Sequence, residues 1–141
     1  MKAYIAVSYK KRKELSAEIE TIKNTLAAQG MKAVVFANEF TFTVEAGKTC
    51  LPAGREMMQQ AMLSIDECDL LIAETTDKAI GIGIEAGYAK AKGKKIIYLR
   101  RKNAEHSTTL AGISDFQIVY DGLVDLKSQL NDVFSKTRAA E

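Results

Sequence analysis

Two short apolar runs, Leu70-Leu-Ile-Ala73 and Lys95-Ile-Ile-Tyr-Leu99, flank a glycine-punctuated block. That block reads Gly81-Ile-Gly-Ile-Glu85-Ala-Gly-Tyr-Ala-Lys90-Ala-Lys-Gly93. A strand, a turn, a short helix and a second strand make one βαβ unit, and a βαβ unit pairs its strands in parallel. The block predicts a helix over Gly83–Lys92 with one carboxylate, Glu85, in its first turn. That position lies beyond the carboxyl end of a parallel strand, where ligands of open α/β sheets gather. Gly81 and Gly83 stand just before the carboxylate and let the backbone approach a substrate closely.

The same alternation runs through the rest of the chain. Strands are predicted at Ala3–Ser8, Lys32–Phe36, Asp69–Ala73, Lys95–Leu99 and Phe116–Tyr120. A helix is predicted over Arg12–Gln29, where Leu15, Ile19, Ile22 and Leu26 recur at three- and four-residue spacing. Gly30 stops it in the usual C-terminal position. A second helix is expected over Ala53–Glu67, with Met57, Met58, Met62 and Ile65 as core filler. A last helix is expected over Leu123–Ser135, turning Leu123, Leu126, Leu130, Val133 and Phe134 inward. The polar stretch from Ala37 to Pro52 is long for a compact α/β domain. It reads as a substrate lid or a hairpin-like excursion, with Thr41-Phe-Thr-Val44 as a brief strand. Strands alternating with helices imply a parallel sheet covered on both faces. The expected fold is α/β, a flavodoxin-like (Rossmann-like) three-layer sandwich whose five-stranded parallel sheet has the order 2-1-3-4-5. A chain of 141 residues suits one domain over residues 1–141, with 136–141 as a frayed tail.

Bulk chemistry removes several classes of function. A net charge of +2 gives no ground for nucleic-acid or membrane binding, and no apolar segment approaches a membrane span. His106 is the single histidine, so a multi-histidine metal site is excluded. Cys50 and Cys68 form no C-x-x-C pair and read as reduced thiols of a cytoplasmic protein. Gly-Ile-Gly-Ile-Glu lacks the G-x-G-x-x-G spacing and follows the third strand, so it is not a dinucleotide fingerprint. Ala46-Gly-Lys-Thr49 lacks the context of a phosphate loop, and no G-x-S-x-G elbow is present. No cofactor is expected.

What remains is a carboxylate, hydroxyls and cations. Glu85, near a helix N-terminus, is expected to be held ionised and can serve as a nucleophile. Its simplest alternative is an ordinary first-turn glutamate. The assumed strand order brings the loop after the first strand beside the glycine–glutamate turn. That loop carries Ser8, Lys10 and Arg12, a hydroxyl and two cations suited to a phosphate. Ser107-Thr108-Thr109 offers further hydroxyls near the same edge, although such a cluster is more simply a loop or helix cap. Tyr4 reads as core.

Asp69-Leu-Leu-Ile-Ala73, Gly81-Ile-Gly-Ile-Glu-Ala-Gly-Tyr-Ala-Lys-Ala91 and Gly93-Lys-Lys-Ile-Ile97 together resemble the nucleoside deoxyribosyltransferase superfamily. The Gly-x-Gly-x-Glu form is closest to its deoxynucleoside 5′-monophosphate N-hydrolase branch; transferases proper usually carry Asp-x-Gly-Thr there. The resemblance implies that Glu85 attacks the anomeric carbon and forms a glycosyl-enzyme. It implies active-site positions at Tyr4 and Ser8, a basic residue at Lys10, and a hydroxyl at Thr109 that reaches a phosphate in the neighbouring subunit. A homodimer or larger homo-oligomer follows, with a nucleoside or nucleotide as substrate. The family often has a second carboxylate eight residues before Asp69, and here that residue is Ala61. Glycosyl transfer normally uses two carboxylates, so Asp77 is the expected substitute acid, with Glu74 and Glu56 as further options. A base-exchanging deoxyribosyltransferase and a non-catalytic nucleotide sensor are the competing functions.

Overall fold

The computed structural model describes residues 1–39, 44–45, 48–49 and 51–139. Strand β1 (Lys2–Val7) leads through turns to helix α1 (Ser16–Ala28), then β2 (Lys32–Val34) and the short α2 (Phe36–Glu39). A small excursion follows, β3 (Val44–Glu45) and β4 (Lys48–Thr49), before α3 (Leu51–Asp66). The second half alternates: β5 (Leu70–Glu74), α4 (Ile80–Ala91), β6 (Lys95–Arg101), α5 (Thr108–Ile113), β7 (Phe116–Tyr120) and α6 (Leu123–Ala139).

The main sheet has five strands in the order β2-β1-β5-β6-β7, and every pairing is parallel. Without the two-stranded excursion this is the expected 2-1-3-4-5 order. The excursion is an antiparallel pair, Val44 opposite Thr49 and Glu45 opposite Lys48, as a hairpin-like insertion requires. Of the brief strand expected over Thr41–Val44, Val44 lies in β3, and Thr41 to Thr43 lie outside the described residues.

Each strand alternates its side chains between two cores. Ala3, Ile5, Val7, Leu70, Ile72, Ile97, Leu99, Ile118 and Tyr120 pack against α1 and α6. Tyr4, Ala6, Leu71, Ala73, Ile96 and Tyr98 face the opposite way, against α3, α4 and α5. The predicted apolar stripe of α1 is buried throughout, and Gly30 follows it at φ +76° in the left-handed region.

Four differences from the sequence expectations have local causes. α1 starts at Ser16 rather than Arg12, because residues 9–15 form separate turns in which the Lys11 N–H donates to the Ser8 carbonyl at 3.2 Å. α6 continues to Ala139, past the expected end at Ser135, with the Thr137 hydroxyl donating to the Val133 carbonyl at 2.9 Å. Leu123 at the start of α6 stays exposed instead of facing inward. α4 begins at Ile80 rather than Gly83, and neither Gly81 nor Gly83 adopts a positive φ. The glycines that read as a turn are therefore the opening turn of the helix.

Candidate active site

The shift in the start of α4 changes the position of Glu85. It sits in the second turn, on the side of α4 that faces the sheet near Tyr4. Burial, not the helix dipole, dominates its electrostatics: its carboxyl is pushed up from the usual 4.5 to about 7, and the nearby Tyr4 hydroxyl pulls it partly back. The expectation of a carboxylate held ionised by a helix N-terminus is thus overturned. Near neutrality Glu85 is poised between its two forms, as active-site carboxyls often are.

Tyr4 reaches Glu85 from β1. Its ring is fully buried and stacks on Phe36 at a centroid distance of 6.2 Å. Its hydroxyl makes no hydrogen bond of ordinary geometry, yet burial first and the Glu85 charge second hold its proton on strongly. The two groups are therefore coupled electrostatically. Tyr4 is thus a core residue that also lines the cavity holding Glu85.

Two adjoining cavities open beside these groups. The smaller, about 170 Å³, holds Glu85 and is lined by Tyr4, Phe36, Met57, Met58, Ala61 and Gly81 among others. Its walls are aromatic and thioether surfaces around a single described carboxylate, suited to a flat heterocycle. A Cβ at position 81 would stand 3.6 Å from Glu85 Oε1 and cover that side of the carboxyl, which glycine leaves open. The larger cavity, about 540 Å³, lies between the start of α4 and α5. Its polar lining is Thr75, Lys78, Ser107 and Thr109, and Gly83 contributes to its wall. Lys78 Nζ donates to the His106 carbonyl at 3.0 Å and pairs with Glu105 at 3.1 Å. Ser107 and Thr109 hydroxyls stand 3.3 Å apart, and Ser107 caps α5 through the Leu110 N–H. Ala79 and Ile82 line both cavities, so the first turn of α4 is their shared wall.

The other expected residues are placed differently. Ser8 is buried, Lys10 is exposed, and neither belongs to the lining of either cavity. Arg12 folds back on Tyr9, its guanidinium donating to the Tyr9 carbonyl at 2.6 Å and lying 3.7 Å from the ring centroid. Tyr9 itself lines the smaller cavity. Asp77 is half-buried on the loop after β5, outside both linings. Glu56 is exposed on α3. Glu74 follows the alternation of β5 onto the α1/α6 face and bonds to Tyr120, so the sheet itself separates it from Glu85. It is no candidate for the second carboxylate.

Sequence reasoning missed Phe36 and misassigned Met57 and Met58, which line the site rather than only filling the core. The signal for Phe36 was its place at the carboxyl end of the predicted strand Lys32–Phe36, one strand from the switch point. Among the described residues no group of histidine, cysteine and acidic side chains could hold a metal ion, and no helix is long and apolar enough to cross a membrane.

A largely desolvated, neutral-poised carboxyl in an aromatic cavity at the carboxyl edge of an open parallel sheet fits the class of α/β enzymes whose sites lie at a topological switch point. The family is more definite. Residues 3–132 match the model of the nucleoside 2-deoxyribosyltransferases, and the chain belongs to that family of enzymes. A relative from Thermofilum pendens, provisionally named 2′-deoxynucleoside 5′-phosphate N-hydrolase 1, is 26% identical over 130 residues, covering 89% of this chain and 88% of the relative. A Syntrophotalea carbinolica relative of the same provisional name is 34% identical over 76 residues, 52% of this chain and 54% of its own. Among solved structures, the CMP N-glycosidase BcmB of Clostridium botulinum superposes with a TM-score of 0.63 at 24% identity, over 93% of this chain and 99% of its own. The 2-deoxyribosyltransferase of Bacillus psychrosaccharolyticus gives 0.68 at 14% identity, over 90% of each chain. These two likenesses establish the common fold.

Proposed function

We propose that this protein hydrolyses the bond between base and sugar in a nucleoside 5′-monophosphate, with Glu85 as the nucleophile. The observation that carries the reading is the placement of Glu85, the one described carboxylate there, in a base-sized apolar cavity that adjoins a larger one lined with a cation and hydroxyls. The names of the relatives, N-hydrolases of nucleotides, support it.

In this reading the base lies against Phe36, Met57 and Met58. Ionised Glu85 attacks C1′, the C1′–N bond breaks, and its electron pair leaves with the base. Water then attacks C1′ of the glycosyl-enzyme and frees Glu85, the two-step course of retaining glycosidases. Tyr4, next to the carboxyl, steadies its charged form. The phosphate faces Lys78, Ser107 and Thr109, while Lys10 and Arg12 add positive charge at the same end of the sheet and Ser8 supports their loop. Asp77, on the loop after β5, is the remaining expected proton donor to the leaving base.

We further infer a homodimer of the cytoplasm. Ile80 and Ile84 are exposed on α4 and Leu63 on α3, two helices that pack together, and a second copy would cover them. One observation favours a sensor instead. Ala61 occupies the cavity wall where a second carboxylate would protonate the base.

The experiment is direct. The protein is incubated with a panel of nucleosides and their 5′-monophosphates, and free base is measured by chromatography. Base release from monophosphates by the parent, lost in Glu85→Gln, is the expected result. Binding without release in every case would establish the sensor. Equal specificity constants for nucleoside and monophosphate would refute the phosphate assignment.

A further inference from the structure

Behind the sheet from Glu85 lies a second buried carboxylate that the proposed chemistry does not use. Glu74, the last residue of β5, has no exposed surface. The Tyr120 hydroxyl donates to its Oε2 at 2.6 Å, and the Thr76 backbone N–H donates to its Oε1 at 2.6 Å. The neighbouring residues extend the attachment. Thr75 donates twice to the Leu99 carbonyl, from its N–H at 2.8 Å and from its hydroxyl at 3.0 Å. The Arg101 N–H donates to Thr76 Oγ1 at 3.1 Å, and that oxygen stands 3.4 Å from Tyr120 Oη. Residues 74–76 are therefore tied to the ends of both β6 and β7.

The segment so anchored runs directly into the site. Lys78 and Ala79 line the cavities, and α4 begins at Ile80. The helix start has little to fix it locally. Ala79 occupies the N-cap position, where its side chain offers no acceptor to the first-turn N–H groups. The turn that follows is Ile-Gly-Ile-Gly, and among residues other than proline glycine is the weakest helix former. An uncapped, glycine-rich first turn takes its order from tertiary anchors.

We propose that Glu74 is a positioning residue: with Tyr120 and Thr76 it clamps the loop after β5, fixes where α4 begins, and so sets the place of Glu85. Glu74 touches no substrate. Its catalytic consequence rests on the reading of Glu85 as nucleophile; its mechanical consequence does not.

Three variants, Glu74→Ala, Glu74→Gln and Tyr120→Phe, test the clamp with two readouts. Hydrogen exchange of the amides over residues 76–84 reports the loop and the first turn. Base release from a nucleoside 5′-monophosphate reports kcat and KM. Glu74→Ala is expected to speed exchange over 76–84 by at least about tenfold, since it removes two buried hydrogen bonds, from the Tyr120 hydroxyl and the Thr76 N–H. It should lower kcat by a similar factor while KM stays within about threefold, as misplacement of a group needed in the transition state predicts. Glu74→Gln should restore both readouts toward the parent. Its carbonyl can accept the Thr76 N–H, and its amide can donate to Tyr120 Oη, which then donates to Thr76 Oγ1. Should Glu74→Ala fail to fold, Tyr120→Phe removes only one hydroxyl and is expected to show the same pattern at smaller size. Unchanged exchange over 76–84 in both Glu74→Ala and Tyr120→Phe overturns the clamp. So does a Glu74→Gln variant as impaired as Glu74→Ala, which would assign Glu74's role to its charge. If the parent releases no base, the proposed function fails, and exchange alone still decides the clamp.

Discussion

Replacing Glu85 by glutamine should make this protein more stable above neutrality while removing its activity. The cause is the burial that raises the Glu85 carboxyl from 4.5 to about 7. Between those values the folded chain keeps a proton that the unfolded chain has lost. Stability therefore falls as pH rises through that window and levels off above about 7. At about 1.4 kcal/mol for each pH unit separating the two midpoints, ionised Glu85 costs the fold about 3 kcal/mol at pH 8. Glutamine has nearly the same shape and no charge to desolvate, so it should recover most of that. For a chain of this length the gain corresponds to a rise in Tm on the order of 10 °C. Thermal unfolding of both proteins at pH 4.5 and pH 8 measures it. The gap should be small at pH 4.5, where Glu85 is mostly protonated in the fold, and wide at pH 8. A glutamine variant no more stable than the parent at pH 8 would refute the reasoning. An equal gain at both values would do the same, because the effect would not follow ionisation.

Tyr4→Phe should move the acid limb of kcat/KM to higher pH, since the hydroxyl that favours ionised Glu85 is gone; an unmoved limb in a pH–rate profile would remove Tyr4 from the site. Ala61→Asp should speed base release, by up to about 10²-fold if the new carboxyl protonates the base, and should lower Tm because the position is buried. An unchanged rate by chromatographic assay would place the acid elsewhere. Ile84→Lys should leave a monomer of 15.5 kDa in light scattering, where the parent gives at least twice that mass. A monomeric parent would refute the proposed interface.

The five parallel strands were legible because each is a compact apolar run, and the sheet order followed from crossover handedness and the glycine-marked βαβ unit. Glu85 stood out as the candidate carboxylate because of the same glycine-marked unit. Its environment was not legible. Glycines at 81 and 83 read locally as a turn, while the folded chain accommodates them in a helix, which moved Glu85 a turn further in and reversed the expected sign of its pKa shift. The helices at Phe36–Glu39 and Thr108–Ile113 are too short to show a 3.6-residue period. Ser107 was the usable sign of the second, since a serine before a helix caps it. The bond between Glu74 and Tyr120 spans 46 residues and leaves no trace in either neighbourhood. Only the alternation of β5 could have shown that Glu74 and Glu85 lie on opposite faces.

The pairing of β1 with β5 sets when such a site can come into being during folding. Ala3 lies opposite Leu70 and Tyr4 opposite Leu71, so these central strands meet only after a closure of more than sixty residues. The second half, β5 through β7 with its helices, can condense through far shorter closures. Glu85 belongs to that half, and Tyr4 arrives with the long one. An early condensate of the second half alone would carry Glu85 without Tyr4 against it and without the wall that Phe36 supplies. The rise of its carboxyl toward 7 would thus mark the late insertion of β1 into the sheet, and proton uptake during refolding at pH 6 would time that step.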